Sequence, residues 1–280
     1  MRAAVAWAEA TLGPVTRVEE LSGGWTSTIL ALSAESGPAV LRLMTNEPWR
    51  THGEELTTRE SDVQRMLAGT AIPAPRTLAL DATGASCGHP AHLMTLVPGH
   101  VSLDRTDAAS LGTIAELLAA IHDVTPTAEV REYQSWAWEA KFVVPDWASS
   151  PALWEAAFDV LRSPVPGFEP TFLHRDFQPR NLLWTDDAIT GVVDWPETSI
   201  GPAWLDVAHC ATNLAILHGS GVADAFADGY VAVTGRTAQP YFDVMDVVGF
   251  LPPPGKKSLI TDPTQLANLE ARLAAVLPRV

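Results

Sequence analysis

The pattern of apolar and polar positions predicts strands early in the chain and helices later. Residues 39–43 and 92–97 are two short, mainly apolar runs, and each predicts a strand. Pro98 and Gly99 end the second run, as expected for a hinge. After Glu60, apolar side chains return at helical spacing, which predicts one early helix with an inward face. Further helices are expected at residues 108–122, 152–161, 206–218, 223–233 and 263–277.

Composition and charge narrow the class of protein. With 280 residues the chain is long enough for one large domain or two lobes. Its net charge of −15 repels nucleic acid and anionic lipid, so we expect neither as a partner, and it favours a cationic ligand. Two cysteines without a disulfide framework, no signal peptide and no membrane-spanning run lead us to expect a cytoplasmic protein. The sequence carries no signal of oligomeric state.

The segment from His174 to Asn181 has the spacing H-x-D-x-x-x-x-N, and a second acid, Asp194, follows it. Phosphoryl transfer from Mg-ATP needs these groups: one carboxylate to orient the acceptor hydroxyl and take its proton, and an amide oxygen with a second carboxylate to hold the metal. The spacing therefore predicts Asp176 as the catalytic base and Asn181 and Asp194 as ligands of Mg²⁺. Each residue alone could merely cap a turn, but their combination favours phosphoryl transfer.

The sequence after this loop predicts a hairpin. Apolar runs at residues 182–184 and 189–193 flank Thr185-Asp186-Asp187, which has turn chemistry. We expect the hairpin to return the chain beside its start and to bring Asp194 close to Asn181. Pro179 fixes the backbone of the loop between Asp176 and Asn181.

A second turn is expected near Cys87, His89 and His92. These residues are three potential metal ligands, but no second cluster accompanies them. The surrounding glycine and proline residues favour a hairpin turn over a metal site.

Several segments, taken in order, resemble the aminoglycoside phosphotransferase family. They lie at residues 21–27, 39–43, 59–67, 72–76, 92–99, 174–181, 193–195 and 201–206. The resemblance covers most of the chain and implies an α+β, two-lobed, protein-kinase-like fold. A β-rich, nucleotide-binding N-lobe with one main helix is expected at residues 1–98. A mostly helical C-lobe with the catalytic loop and the substrate-binding helices is expected at residues 99–280.

The cation that binds the phosphates is an unusual feature of the expected N-lobe. No lysine precedes Lys141, so Arg42 is the only cation on the strand that matches the family's phosphate-binding strand. By resemblance Arg42 would bind the α- and β-phosphates with Glu60 as its partner, while Glu54 and Glu55 are weaker alternatives.

Two further segments are implied to bind the nucleotide. The glycine hairpin would cover the phosphates through Ser22, Gly23, Gly24 and Ser27. The linker between the lobes would read the base through the backbone of Thr95 and Val97, with Met94 behind it. ATP is the expected nucleotide, and GTP is an alternative.

Departures from the kinase pattern favour a small-molecule acceptor. Trp195 and Pro196 follow Asp194 where protein kinases have Phe-Gly, and Asp206 comes too soon for a regulated activation segment. Arg175 stands where most small-molecule members have glycine. By resemblance, His174 and Asp206 support the catalytic loop, with Asp206 accepting hydrogen bonds from its backbone.

The acceptor is predicted only in outline. Trp136, Glu139 and Glu197 are candidates for binding it. We expect phosphorylation of a hydroxyl on an aminoglycoside-like or other antibiotic, which gives a role in antibiotic resistance. An ordinary metabolite of the homoserine, choline or sugar type is the alternative, and a nucleotide-binding pseudoenzyme is a third.

Overall fold

The computed structural model describes residues 2–21 and 26–280, and the chain forms two units. The first comprises the residues before Val101 together with Leu183–Thr198. The second comprises Val101–Leu182 and Ser199–Val280. The predicted α+β fold with a sheet-based part and a helical part is confirmed. The lobe ranges expected from the sequence stay a prediction.

The first unit is built on a five-stranded antiparallel sheet with strand order β1-β2-β3-β5-β4. Its strands are β1 (Val15–Leu21), β2 (Thr28–Ala34), β3 (Gly37–Leu43), β4 (Thr77–Asp81) and β5 (Ala91–Thr95). The two runs predicted as strands are therefore β3 and the body of β5.

Alternation along the strands gives the sheet two different faces. Leu30, Leu41 and Leu93 lie on one face and are buried with α1 (Arg2–Leu12), a helix that adds to the predicted elements. Arg42 and His92 are register partners and therefore lie together on the opposite face. Their side chains contact Glu60 of α2 (Gly53–Leu67), the predicted early helix, which begins before the segment at residues 59–67 that carries the helical pattern.

The predicted hairpin consists of β8 (Leu182–Thr185) and β9 (Ala188–Val192), and β8 also pairs with the short β6 (His100–Val101). The hinge at Pro98-Gly99 is fixed against it, because Thr190 Oγ1 donates to the Pro98 carbonyl at 2.7 Å. Gly99 has φ +110°, and a Cβ there would lie 2.6 Å from Thr190 Oγ1, so only glycine fits.

The second unit is mostly helical. Its helices are α3 (Ala108–His122), α4 (Pro151–Arg162), α5 (Trp204–His218), α6 (Ser220–Thr234), α7 (Pro240–Gly249) and α8 (Pro263–Val276). Two short strands, β7 (Pro170–Leu173) and β10 (Ser199–Pro202), pair antiparallel. Five of the helices confirm the prediction to within a few residues.

The remaining helix of this unit, α7, is absent from the sequence-based prediction. Every residue from 241 to 248 is buried, so no polar face marks the helical period. Across the described part of the chain, no helix has both the length and the apolar content needed to cross a membrane.

The sheet core is expected to dominate the stability of the first unit. Leu41 is completely buried, so Leu41→Ala should lower the free energy of unfolding by about 2–5 kcal/mol through lost burial and a residual cavity. Leu78→Ala on β4, where the side chain is exposed, is the control and should cost less than about 1 kcal/mol. Urea unfolding of both variants measures the difference, and equal losses would contradict this assignment of the core.

Candidate active site

A buried ion cluster lies in the first unit on the α2 side of the sheet. Nη1 of Arg42 donates to Oδ1 of Asp194 at 2.8 Å, and its Nη2 lies 3.4 Å from Oε1 of Glu60. The Arg42 guanidinium therefore joins a carboxylate from α2 to one that follows β9. Burial alone would lower the pKa of Arg42, but Glu60 and Asp194 raise it above its usual range, so Arg42 stays charged.

Glu60 is held from its other side by a histidine. His92 Nδ1 lies 3.1 Å from Oε2 of Glu60, and its Nε2 lies 2.9 Å from Oγ1 of Thr77. Burial would raise the pKa of Glu60, but the charge of Arg42 and the bond to His92 lower it, so the carboxylate is ionised. Sequence reasoning missed this role of His92, because its place opposite Arg42 becomes visible only in the strand register of the folded sheet.

The stretch between β4 and β5 is the expected turn. The Asp81 carboxylate accepts the backbone N–H groups of Ala85, Ser86 and Cys87 at 2.8–3.0 Å. Among residues 2–21 and 26–280, no group of three histidine, cysteine or acidic side chains is arranged to hold a metal. The expected turn is therefore present, closed by the Asp81 carboxylate.

The residues expected to bind the base lie at the end of β5. Thr95 donates its N–H to the Arg76 carbonyl at 2.9 Å, and its Oγ1 accepts the Arg76 N–H at 2.9 Å. The Met94 sulfur accepts from Nε2 of Gln64, at 3.4 Å, on the α2 side of the sheet. Val97 packs at Gly191, where a Cβ would lie 3.0 Å from its side chain.

The expected phosphate loop is covered only in part. Ser27 is buried beside β2. Ser22, Gly23 and Gly24 lie outside the described residues. The segment after Asp194 is held by α2, because Nη1 of Arg59 donates to the Pro196 carbonyl at 2.7 Å. Glu197, a candidate for binding the acceptor, is half-buried in the same segment.

In the second unit a buried carboxylate organises the catalytic loop. Asp206 on α5 accepts the N–H of His174 at 2.8 Å and of Arg175 at 2.7 Å, and Nε2 of His122 lies 3.2 Å away. Arg175 has φ +72°, a left-handed conformation that favours glycine. Its guanidinium stacks over the Trp136 ring at 3.8 Å. The backbone bonds and the stack together hold a residue that departs from the family's glycine.

Asp176 is surrounded by hydrogen-bond donors. Asn181 Nδ2 donates to its carbonyl at 2.8 Å and to its Oδ2 at 2.9 Å. Gln178 Nε2 donates to Oδ1 at 2.7 Å, and Nε2 of His209 lies 2.9 Å from the same oxygen. Burial would raise the pKa of Asp176, but the bond and charge of His209 lower it. The carboxylate is therefore ionised and able to accept a proton.

His209 has a second carboxylate partner. Its Nδ1 lies 3.0 Å from Oδ1 of Asp246, on α7. Burial would lower the pKa of His209, but the charge of Asp246 and the bonds to both carboxylates raise it to about 9. Sequence reasoning missed both residues. Only the position of His209 three residues after Asp206, on the same helix, could have suggested it.

The two remaining acceptor candidates lie apart. Trp136 is half-buried, stacks on Arg175, and lies nearly perpendicular to the His209 ring, with 5.1 Å between centroids. Glu139 is exposed and pairs with Arg162 at 3.0 Å. The structure thus brings Trp136 to the Asp176 group and leaves Glu139 in a surface ion pair.

The sequence model of the phosphotransferase enzyme family matches residues 17–241, which is most of the chain. The chain belongs to this family. The match spans both the Arg42 cluster and the catalytic loop.

One curated relative is similar over about half of the chain. N-acetylmuramate/N-acetylglucosamine kinase of Pseudomonas aeruginosa is 27% identical over 156 residues, which are 52% of this chain and 46% of that protein. The chain thus spans about half the length of this curated relative.

Solved structures show the same fold at low identity. A provisionally assigned aminoglycoside phosphotransferase from Ralstonia eutropha JMP134 superposes with a TM-score of 0.70 at 18% identity, covering 99% of this chain and 98% of that one. A thermostable mutant of aminoglycoside phosphotransferase APH(4)-Ia, in complex with ADP and hygromycin B, gives 0.68 at 18% identity, covering 98% and 97%. The predicted family and fold are confirmed.

The Glu60 cluster predicts a pH-dependent contribution to stability. The folded pKa of Glu60 lies below its ordinary value of 4.5, so its contribution is present above that pH and is lost as the pH falls. Glu60→Gln should therefore cost about 3–5 kcal/mol of unfolding free energy at pH 7, because it strands buried charge, and less at pH 4.

Urea unfolding at the two pH values measures this difference. Glu54→Gln, an exposed acid in the first turn of the same helix, is the control. A loss in Glu60→Gln that does not change with pH would contradict an ionised Glu60.

Proposed function

We propose that this chain transfers the γ-phosphate of ATP to a hydroxyl of a small molecule. The observation that carries the proposal is the Asp176 carboxylate, which is ionised, bonded to Asn181, and still 21% exposed. Family membership supports the reaction class. In the step, the acceptor oxygen forms a bond to the γ-phosphorus, the bond to the β–γ bridging oxygen breaks, ADP leaves, and Asp176 takes the hydroxyl proton.

The donor side follows the family resemblance. Arg42, kept charged by Glu60, would bind the α- and β-phosphates, and the hairpin of Ser22, Gly23, Gly24 and Ser27 would cover them. The base would meet Met94, Thr95 and Val97. GTP in place of ATP stays an alternative.

Two side chains fit Mg²⁺. Asn181 commits its amide N–H groups to Asp176, which leaves its amide oxygen for another ligand, and the Asp194 side chain is 41% exposed. Oxygen ligands are those that Mg²⁺ prefers. Bound there, the metal would neutralise charge on the β- and γ-phosphates. Asp206 and His174 would keep the loop in place.

The acceptor is proposed to be an aminoglycoside-like or other antibiotic, with resistance as the consequence. The complex of APH(4)-Ia with hygromycin B and the acidic net charge support this, with Glu197 and Glu139 as candidate contacts.

A sugar-type metabolite is the second candidate. Trp136 contacts His209, which bonds Asp176, and it is a candidate aromatic surface for a sugar ring; the curated relative is named N-acetylmuramate/N-acetylglucosamine kinase. The two free thiols, Cys87 and Cys210, support the expected cytoplasmic location.

A panel assay distinguishes these acceptors. ADP release with Mg-ATP, and separately with Mg-GTP, would be measured for aminoglycosides, macrolides, N-acetylated amino sugars, choline and homoserine. Acceptor-dependent ADP release in one class identifies the substrate. Nucleotide binding without release in any class would favour the pseudoenzyme.

Asp176→Asn tests the catalytic base directly. The amide cannot take the hydroxyl proton, so kcat should fall by about 10²–10⁴-fold, while ATP affinity stays within a few-fold. Asp228→Asn, an exposed acid on α6, is the control and should keep full activity. Calorimetry with ATP and the ADP-release assay give the two readouts. Near-normal turnover in Asp176→Asn would overturn the assignment.

A further inference from the structure

His209 occupies a position that the proposed reaction does not by itself explain. Its side chain is buried on α5, and its two ring nitrogens face two different carboxylates, Asp176 at 2.9 Å and Asp246 at 3.0 Å. Phe250 stacks on the ring with centroids 5.7 Å apart, and the Trp136 ring lies nearly perpendicular to it, with centroids 5.1 Å apart. The ring is therefore fixed in plane and in rotation.

Asp246 has a hydrogen-bonded charged partner, His209, and it also interacts electrostatically with the Lys141 ammonium. It is buried on α7, and its Oδ2 has no hydrogen-bond partner among the described residues. A buried carboxylate is costly unless it is paired, and the bond to His209 together with the charge of Lys141 offsets that cost for Asp246.

The charges around His209 come from three elements besides its own helix. Asp176 approaches from the catalytic loop and Asp246 from α7, while the Lys141 ammonium donates to the carbonyls of Trp136 and Gly249. Asn213, one turn along α5, places Nδ2 3.2 Å from Nε2 of His209 and donates to the His209 carbonyl at 2.9 Å. Two carboxylates thus face the ring directly, and both favour its doubly protonated form.

Most of the positions at which the Asp176 carboxylate can accept a hydrogen bond are filled. A carboxylate oxygen accepts about two hydrogen bonds. Among the residues that the structure describes, Gln178 and His209 fill Oδ1, whereas Oδ2 receives only Asn181. One position therefore remains, and it lies on Oδ2.

We propose that His209, fixed by Asp246, is a positioning residue that fills Oδ1 of Asp176 and so directs the acceptor hydroxyl to Oδ2. This role of His209 rests on the proposed function. A buried dyad, His209 and Asp246, would orient the catalytic carboxylate. His209 does not touch the reacting atoms.

Two substitutions at His209 test its bond to Asp176 separately from its bond to Asp246. His209→Gln extends an amide to the place of Nε2 and keeps a donor for Asp176, whereas His209→Asn reaches only toward Asp246. Misplacement of a catalytic group costs up to about 100-fold, so kcat should fall about 10- to 100-fold in His209→Asn, with KM for ATP little changed. His209→Gln should recover part of the loss. Equal kcat values in the two variants, or values within twofold of wild type, would overturn the proposal.

Asp246→Asn tests the second half of the dyad without touching His209. Its matched control is Asp243→Asn, because Asp243 is equally buried on the same helix but bonds Arg272 and Trp204 instead. Asp246→Asn should lower kcat per folded molecule several-fold, while Asp243→Asn affects only stability. The same loss of kcat in both would mean that α7 acts structurally, against the proposal.

The pH dependence of kcat distinguishes a positioning role of His209 from a purely structural one. With the pKa of His209 near 9, wild-type kcat should fall as the pH passes that value and the ring loses a donor. Removing Asp246 lowers the pKa of His209, so this fall should move to lower pH in Asp246→Asn. Burial lowers the pKa of Lys141 to about 8, and His209→Gln keeps Lys141. A fall near pH 9 that persists in His209→Gln would contradict the proposal.

NMR separates failure of the dyad from failure of the proposed function. The imidazole ¹⁵N shifts of His209 should titrate near pH 9 in the wild type and at lower pH in Asp246→Asn, whether or not an acceptor is known. Titration of His209 in its ordinary range would refute the dyad. A high value together with no ADP release from wild type would instead refute the kinase assignment and, with it, this role of the dyad.

Discussion

The catalytic loop depends on one buried carboxylate. Asp206 accepts consecutive backbone N–H groups from His174 and Arg175, and His122 bonds it from α3. These bonds hold Arg175 in a left-handed conformation that costs a non-glycine residue about 1–2 kcal/mol. Asp176 follows directly, so Asp206 fixes the backbone from which the Asp176 side chain extends, while Gln178, Asn181 and His209 hold its carboxylate.

Each unit also contains a cation that links a buried carboxylate to a more exposed one. Arg42 joins buried Glu60 to Asp194, whose side chain is 41% exposed. His209 joins buried Asp246 to Asp176, whose side chain is 21% exposed. In both cases the exposed carboxylate is the one assigned to the chemistry. Its orientation is fixed from the interior, while its outer side stays accessible, as positioning and electrostatic catalysis require.

Local sequence predicted the segments whose chemistry is contiguous. The loop from His174 to Asn181 and the hairpin after it could be assigned from spacing and turn chemistry, and Arg42 with Glu60 could be assigned from the family resemblance. His92, His209 and Asp246 could not, because their roles arise only when distant segments pack together. Helix α7 gave no signal, since its buried residues lack a period. The roles proposed for the site residues stay predictions.

Hydrogen exchange at the catalytic loop tests most directly whether Asp206 holds it. The amides of His174 and Arg175 are buried and bonded to Asp206, so both should exchange only through unfolding of the helical unit, as slowly as the core amides of α5. In Asp206→Asn they should exchange much faster while α5 stays protected. Rapid exchange at these two amides in the wild type, at the rate of exposed loops, would contradict the account.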